Sequence, residues 1–182
     1  MIDYEKILTA HPDQYGGKWR IDGDSADYNN IVWKTDDPPS KEELDALAPD
    51  VARTAKIKAA KSERDRRIEG GVVCELDGTE FQIRSDRVTQ TEVDKATMAA
   101  ELAEKDGEEW SVTWEMTTAD GNEQDVELNK SNIKAMFKRL DRHRRDHEDA
   151  YRTLRDQIKA ANDPTEIDVT DDSHWPDKEF SD

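Results

Sequence analysis

The sequence predicts an α+β fold, in which two β-hairpins are packed by two helices behind a small N-terminal helix-hairpin module. Three observations carry this. Residues 72–83 alternate apolar and polar about Asp77-Gly78, and Trp110, Val112, Trp114 and Met116 alternate ahead of Asp120-Gly121-Asn122 and Val126-x-Leu128. The third is a helical stripe, Ile133, Met136, Phe137, Leu140, His143, His147, Tyr151, Leu154 and Ile158, recurring at steps of three and four.

In chain order, Tyr4, Ile7 and Leu8 have helical spacing and His11-Pro12 ends that segment. Trp19, Ile21, Ile31 and Trp33 then share one face of a two-stranded hairpin, with Trp19 opposite Trp33 and Ile21 opposite Ile31. After Pro38-Pro39, Ser40 and Glu43 form a capping box that opens a helix, and Pro49 is expected to interrupt it. Residues 50–69 are good helix formers with few large apolar side chains, so they predict a spacer or an oligomer contact.

Gly70-Gly71 stops this helix. With a two-residue Asp77-Gly78 turn, Val72 faces Ile83, Cys74 faces Phe81 and Leu76 faces Thr79, which puts all six on one side and makes Cys74 a small core residue. A helix capped by Ser85 or by the Thr89/Glu92 box follows, carrying Val93, Ala96, Ala99, Ala100, Leu102 and Ala103 up to Gly107. For the second hairpin, a three-residue turn with Gly121 or Asn122 in the left-handed region pairs Met116 with Val126 and Trp114 with Leu128. The long helix runs over residues 130–161, capped by Asn129, and an acidic tail with Ile167, Val169 and Trp175-Pro176 drapes over the domain or a neighbour. The expected organisation is an attachment module (1–45), a helical connector (46–69), a C-terminal domain (70–176) and an acidic end (177–182).

Composition narrows the function. The 182 residues are 39% charged and 34% hydrophobic, so the cores are thin. A net charge of −17 repels a phosphate backbone, which argues against nucleic acid as a partner. The charge is uneven: residues 53–67 hold a basic stretch, while the tail after Asn162 has eight acids against Lys178, so acidic and basic faces are able to pair between subunits. One cysteine excludes an intrachain disulfide, and no leader pattern or apolar run of membrane-spanning length is present, so a cytosolic product and no membrane partner are expected.

Chemistry-bearing motifs are sparse. His143 and His147 stand four apart, a spacing that can present two imidazoles to a metal, but Arg144 replaces the glutamate of the peptidase motif and the flanking Leu140 and Tyr151 favour packed histidines. Asp22, Asp24 and Asp27 have a calcium-loop spacing, yet Ala26 and Trp33 stand where ligands are required. There is no phosphate-binding glycine loop and no G-x-S-x-G serine. No catalytic residue, cofactor-binding residue or metal ligand is assigned, and the chain is expected not to be an enzyme. The five tryptophans read as anchors of thin cores or as contact hot spots.

Over residues 62–176 several patterns resemble an uncharacterised domain family encoded among phage tail and tail-fibre genes. They are Arg64-Asp-Arg-Arg-Ile-Glu-Gly-Gly-Val72, Leu76-Asp-Gly-Thr-Glu-Phe81, the helix after Ser85, the Trp110 strand with Ala119-Asp-Gly121, the His-bearing helix ending Leu154-Arg-Asp-Gln-Ile158-Lys-Ala-Ala161, and Ile167-Asp-Val169 with Trp175-Pro176. Residues 28–44, a tryptophan strand before prolines and an acidic helix, are similar to the start of short phage tail-region proteins. Heavy acidity and the basic helix depart from the usual pattern. The resemblance implies a structural tail component, made in the host cytoplasm and carried in the virion tail. Its partners would be other tail proteins of the fibre or baseplate and further copies of itself, as a trimer through its helices. A tail-fibre assembly chaperone that leaves before the virion is complete is the alternative, and an acidic DNA mimic a more distant one.

Overall fold

The structure, a computed structural model, describes residues 2–22 and 27–177. The middle of the Asp22–Asp27 loop, with Asp24 and Ala26, and the acidic end from 178 onward, with Phe180, lie outside the described residues. The fold is α+β, and the chain divides into two compact units, residues 1–59 with 155–168 and residues 60–154 with 169–182.

In the first unit α1 (Tyr4–Ala10) starts at Asp3, whose carboxylate accepts from the Lys6 amide, and buries Tyr4, Ile7 and Leu8. A single helical turn, α2 (Pro12–Tyr15), follows with proline at its first position, where the missing N–H costs nothing. Strands β1 (Trp19–Ile21) and β2 (Ile31–Trp33) pair antiparallel in the expected register, Trp19 opposite Trp33 and Ile21 opposite Ile31. The capping box closes as expected: the Glu43 amide donates to Ser40 Oγ at 3.1 Å and the Ser40 amide to Glu43 Oε2 at 2.7 Å.

The helix begun there, α3 (Lys41–Glu69), is continuous through Pro49, against the expected interruption. Proline forfeits one backbone bond, and the turn around it is held by packing: Leu44 is fully buried, with Leu47, Ala48 and Val51 against the same core as Tyr4, Ile7, Leu8 and Ile31. The turns from Leu44 to Val51 are therefore part of the core of the first unit. The basic residues are engaged within the chain: Arg53 donates to the carbonyl of Ala161 at 3.2 Å and Lys56 to that of Ile167 at 2.6 Å.

The second unit holds one four-stranded antiparallel sheet in chain order, β3 (Val72–Leu76), β4 (Thr79–Ile83), β5 (Ser111–Thr118) and β6 (Glu123–Asn129). The first hairpin has the expected register, and Asp77 (φ 50°) and Gly78 (φ 82°) both take the positive φ of the two-residue turn that matches strand twist. The second hairpin differs from expectation. Trp114 opposes Val126, Met116 opposes Gln124 and Val112 opposes Leu128. The turn residues are Ala119-Asp120-Gly121, one earlier than expected, fixed by the Gly121 amide donating to the Thr118 carbonyl at 2.9 Å and by Gly121 at φ 87°. A shift of two in pairing preserves the faces, so the inward set was right and the partners were not. Phe81 opposite Thr118 joins the two hairpins into one sheet.

Helix α4 (Arg87–Asp106) is capped by Asp86, which accepts from the amides of Val88 and Thr89. Neither expected cap is used, because Ser85 is buried and its Oγ accepts from the Gly71 amide at 2.9 Å while donating to the Ile68 carbonyl. Gly107 ends α4 at φ 75°. Helix α5 (Lys130–Ala160) is capped by Asn129, as expected. Val72, Cys74, Phe81, Val93, Ala100, Met116, Leu128, Ile133, Met136 and Leu140 make the core of this unit, with Trp110 and Trp114 half-buried at its margin.

Candidate functional site

Three charged residues that the sequence did not single out meet in the second unit: Glu63 and Arg67 on α3, and Asp172 in the tail. Glu63 and Arg67 stand four apart, a spacing at which helical side chains touch. Arg67 Nε donates to Glu63 at 2.6 Å, and its Nη2 donates to Asp172 at 2.6 Å and to the Thr170 carbonyl at 3.1 Å. The Arg67 side chain is 5% exposed and that of Glu63 8%. A charge that deep requires partners, and Arg67 has three. The hydrogen bond from Arg66, then that from Arg67, hold the Glu63 carboxyl below its usual range against the opposing effect of burial.

Trp175 closes this cluster. It is buried, donates from Nε1 to the Val169 carbonyl at 2.9 Å, lies 5.3 Å from the Arg67 guanidinium carbon and stacks on His147 at 6.5 Å with 23° between the rings. The apolar tail residues Val169 and Trp175 thus pack on the chain's own domain, the first of the two surfaces expected for this tail.

The two histidines of the sequence motif are brought together, with ring centres 4.5 Å apart, and both are buried. A carbonyl only accepts, so His147 Nδ1 carries the proton it directs at the His143 carbonyl (2.9 Å) and His143 Nε2 the one directed at Ile68 (3.3 Å). Burial, above all, lowers the pKa of both, with the charge of Arg67 adding to the effect at His147. The pair is a neutral packed element of the tail clamp. Cys74 is buried and burial pushes its thiol up, away from the thiolate that reactivity requires. Among the described residues no three His, Cys, Asp or Glu side chains are grouped to hold a metal ion, and no helix is long and apolar enough to cross a membrane.

The outer surface of the same unit is of a different kind. On α4, Val88, Met98 and Leu102 are 68%, 70% and 61% exposed. Leu102 is one of the apolar residues expected along that helix, whose buried side is made by Val93, Thr97, Ala100 and Ala103. A cleft of about 330 Å³ is lined by Gln90, Val93 and Asp94 of α4 and by Phe137, Leu140, Asp141 and Arg144 of α5. The signal for this surface lay in the spacing of Val88, Met98 and Leu102, hidden by the alanines of α4 that drew the helix phase toward a broader face.

No curated protein and no solved structure matches this chain with significance. A family described as Domain of unknown function (DUF4376) matches residues 51–172, more than half of the chain, and its span takes in the whole four-stranded sheet, α4, α5 and both ends of the Arg67–Asp172 pair. The chain belongs to the DUF4376 family.

Proposed function

We propose that this protein is a structural component of a bacteriophage tail, associated with the fibre, baseplate or tail tip, working through protein–protein contacts and not by catalysis. The observation that carries the contact role is the gathering of exposed Val88, Met98 and Leu102 on one helix of a chain that is 39% charged. Met98 and Leu102, one helical turn apart, form an exposed apolar pair on a very polar surface, a feature that marks an interaction site. The groups that chemistry would use, His143, His147 and Cys74, are buried in packing roles. The placement in a tail rests on the resemblance of residues 62–176 and 28–44 to phage tail-region proteins. Its partners are other tail proteins and copies of itself, after synthesis in the host cytoplasm.

Mass spectrometry of purified phage particles tests this reading, with the chain expected at a defined copy number. Absence from particles together with co-purification with fibre protein in lysates would replace it by the assembly-chaperone role. Inhibition of a DNA-binding enzyme at low salt would replace it by DNA mimicry.

A further inference from the structure

Resting on the reading of this chain as a contact protein, we infer that the outer edge of β6 is a docking site for an extended segment of a partner protein, in which lysine or arginine alternates with apolar residues. The two edges of the four-stranded sheet differ. At β3 the Val73 carbonyl accepts from Arg139 Nε at 2.9 Å, so a helix side chain covers that edge. The β6 strand has seven residues to the five of β3, and it runs from Glu123 to Asn129 without proline or bulge.

Which backbone groups β6 leaves open is fixed at the turn. The Thr118 amide donates to the Asn122 carbonyl at 2.9 Å, and hydrogen-bonded pairs alternate with non-bonded ones along an antiparallel ladder. In the observed register Gln124, Val126 and Leu128 therefore bond to β5, while Glu123, Asp125 and Glu127 direct their amides and carbonyls away from it. Among the described residues no hydrogen bond reaches those groups. The open stretch ends at Asn129, whose amide donates to Asn132 Oδ1 at 3.1 Å.

Charge and packing select the occupant. The side chains of Glu123, Asp125 and Glu127 are exposed on the face away from the core, where Glu115 stands opposite Asp125. Val126, half-buried, and Leu128 lie on the core face. A strand added antiparallel, as every pair in this sheet is, sets a residue opposite each of the three acids and its intervening residues beside Val126 and Leu128. Basic side chains at the first positions and apolar ones at the second match both faces. At the Asn129 end a cleft of about 630 Å³ is lined by Glu109, Trp110, Ser111, Glu127 and Asn129. Lys130, also in that lining, donates from its ammonium to the Glu108 carbonyl, and Glu127 accepts from Ser111 Oγ at 2.8 Å. An indole with two carboxylates suits a cation, so the cleft takes the terminal basic side chain of the same segment. The β6 edge of a second copy is refused, because antiparallel pairing of the two would set carboxylate against carboxylate.

The probe is a fluorescent heptapeptide alternating lysine with valine, titrated with the full chain in about 0.15 M salt and read by anisotropy. It should bind saturably, one peptide per chain, and the same peptide with glutamate for lysine should bind at least about tenfold more weakly. Asp125→Lys/Glu127→Lys, changed only at exposed positions, should weaken binding of the lysine peptide at least about tenfold with an unaltered circular dichroism spectrum. Backbone methylation separates strand pairing from charge attraction. Opposite the acids, the lysine amides point at β6 and the valine amides away from it. N-methylation at lysine should therefore abolish binding, and N-methylation at valine should preserve it.

No saturable binding of the lysine peptide, or equal binding by the Asp125→Lys/Glu127→Lys variant, overturns the site. Binding that survives both methylations, or is lost equally to both, overturns pairing along the edge. None of these results bears on whether the chain is found in phage particles, so the docking site and the tail role fail separately.

Discussion

The guanidinium of Arg67 lies 5.3 Å from the ring centre of Trp175, and the same arginine is hydrogen-bonded to Glu63 and Asp172. A helix residue and a residue over a hundred positions later are thereby fastened by a contact that is part electrostatic and part packing. Desolvated cation–π pairs contribute about 1–2 kcal/mol. A double-mutant cycle with Arg67→Met and Trp175→Leu should return a coupling of about 1 kcal/mol in urea unfolding. A coupling indistinguishable from zero would mean that the two side chains are merely adjacent.

Phe81 is 3% exposed and faces Cys74 across the first hairpin. Phe81→Ala should lower stability by about 3–5 kcal/mol, read as a shift in the urea midpoint without loss of slope. An unchanged midpoint would contradict its place in the core.

That hairpin, its register and its buried face were legible because Asp77-Gly78 dictates one turn and one turn fixes every cross-strand pair. The second hairpin was legible only to the level of faces. Ala119, Asp120, Gly121 and Asn122 allow a turn of the right length at neighbouring positions, and the choice was made by Thr118, whose Oγ1 and amide both engage Asn122. Of the tail clamp only the draping of the tail was legible, not the residues that hold it. Arg67 looks like one more base in a basic stretch, and nothing local marks it as buried until Trp175 and Asp172 return to it from a distant segment.

The observed register sets Glu115 directly opposite Asp125. Like charges so placed repel, and cross-strand pairs are worth about 0.2–1 kcal/mol. Asp125→Lys should therefore stabilise by about 0.5 kcal/mol, with the gain vanishing in a Glu115→Gln background. In the alternative register, where Met116 meets Val126, position 115 faces Glu127, and the gain would not depend on Glu115.

The buried histidines set a pH dependence. Burial lowers the pKa of His143 and His147 from the ordinary 6.5. Arg67 and Arg139 add to the lowering, while Asp146 and the backbone carbonyls oppose it. As pH falls through about 6.5 the unfolded chain takes up protons that the folded chain refuses, so stability falls with falling pH and is complete above that range. Glu63, lowered from 4.5, removes more stability in the same direction at lower pH, once it too is protonated. The urea midpoint should hold steady from about pH 7.5 upward and decline from about pH 6.5 toward pH 5. His147→Phe, which keeps an aromatic ring against Trp175, should flatten that decline; a profile as steep as the wild type would assign it to other groups.

The N-terminal unit gives the last test. Residues 1–45 offer few large apolar side chains and no disulfide, and alone they predict a segment that orders only on a partner. The structure adds what that account lacked. Leu44 is fully buried, Leu47, Ala48 and Val51 pack against the same cluster, and Tyr4 Oη donates to Asp45 at 2.5 Å while Tyr28 Oη donates to the Pro39 carbonyl at 3.0 Å. The first turns of α3 thus add four apolar side chains to this core, and Asp45 and the Pro39 carbonyl satisfy two tyrosine hydroxyls that would otherwise lose water without return. The amides of α1 and β2 should accordingly be protected from hydrogen exchange in the isolated, unassembled chain. Leu44→Ala, which removes a fully buried leucine, should weaken that protection by about 2–5 kcal/mol. Exchange of Ile7, Leu8 and Ile31 at the rate of an unstructured peptide in the wild-type chain would show that this core needs a partner to form.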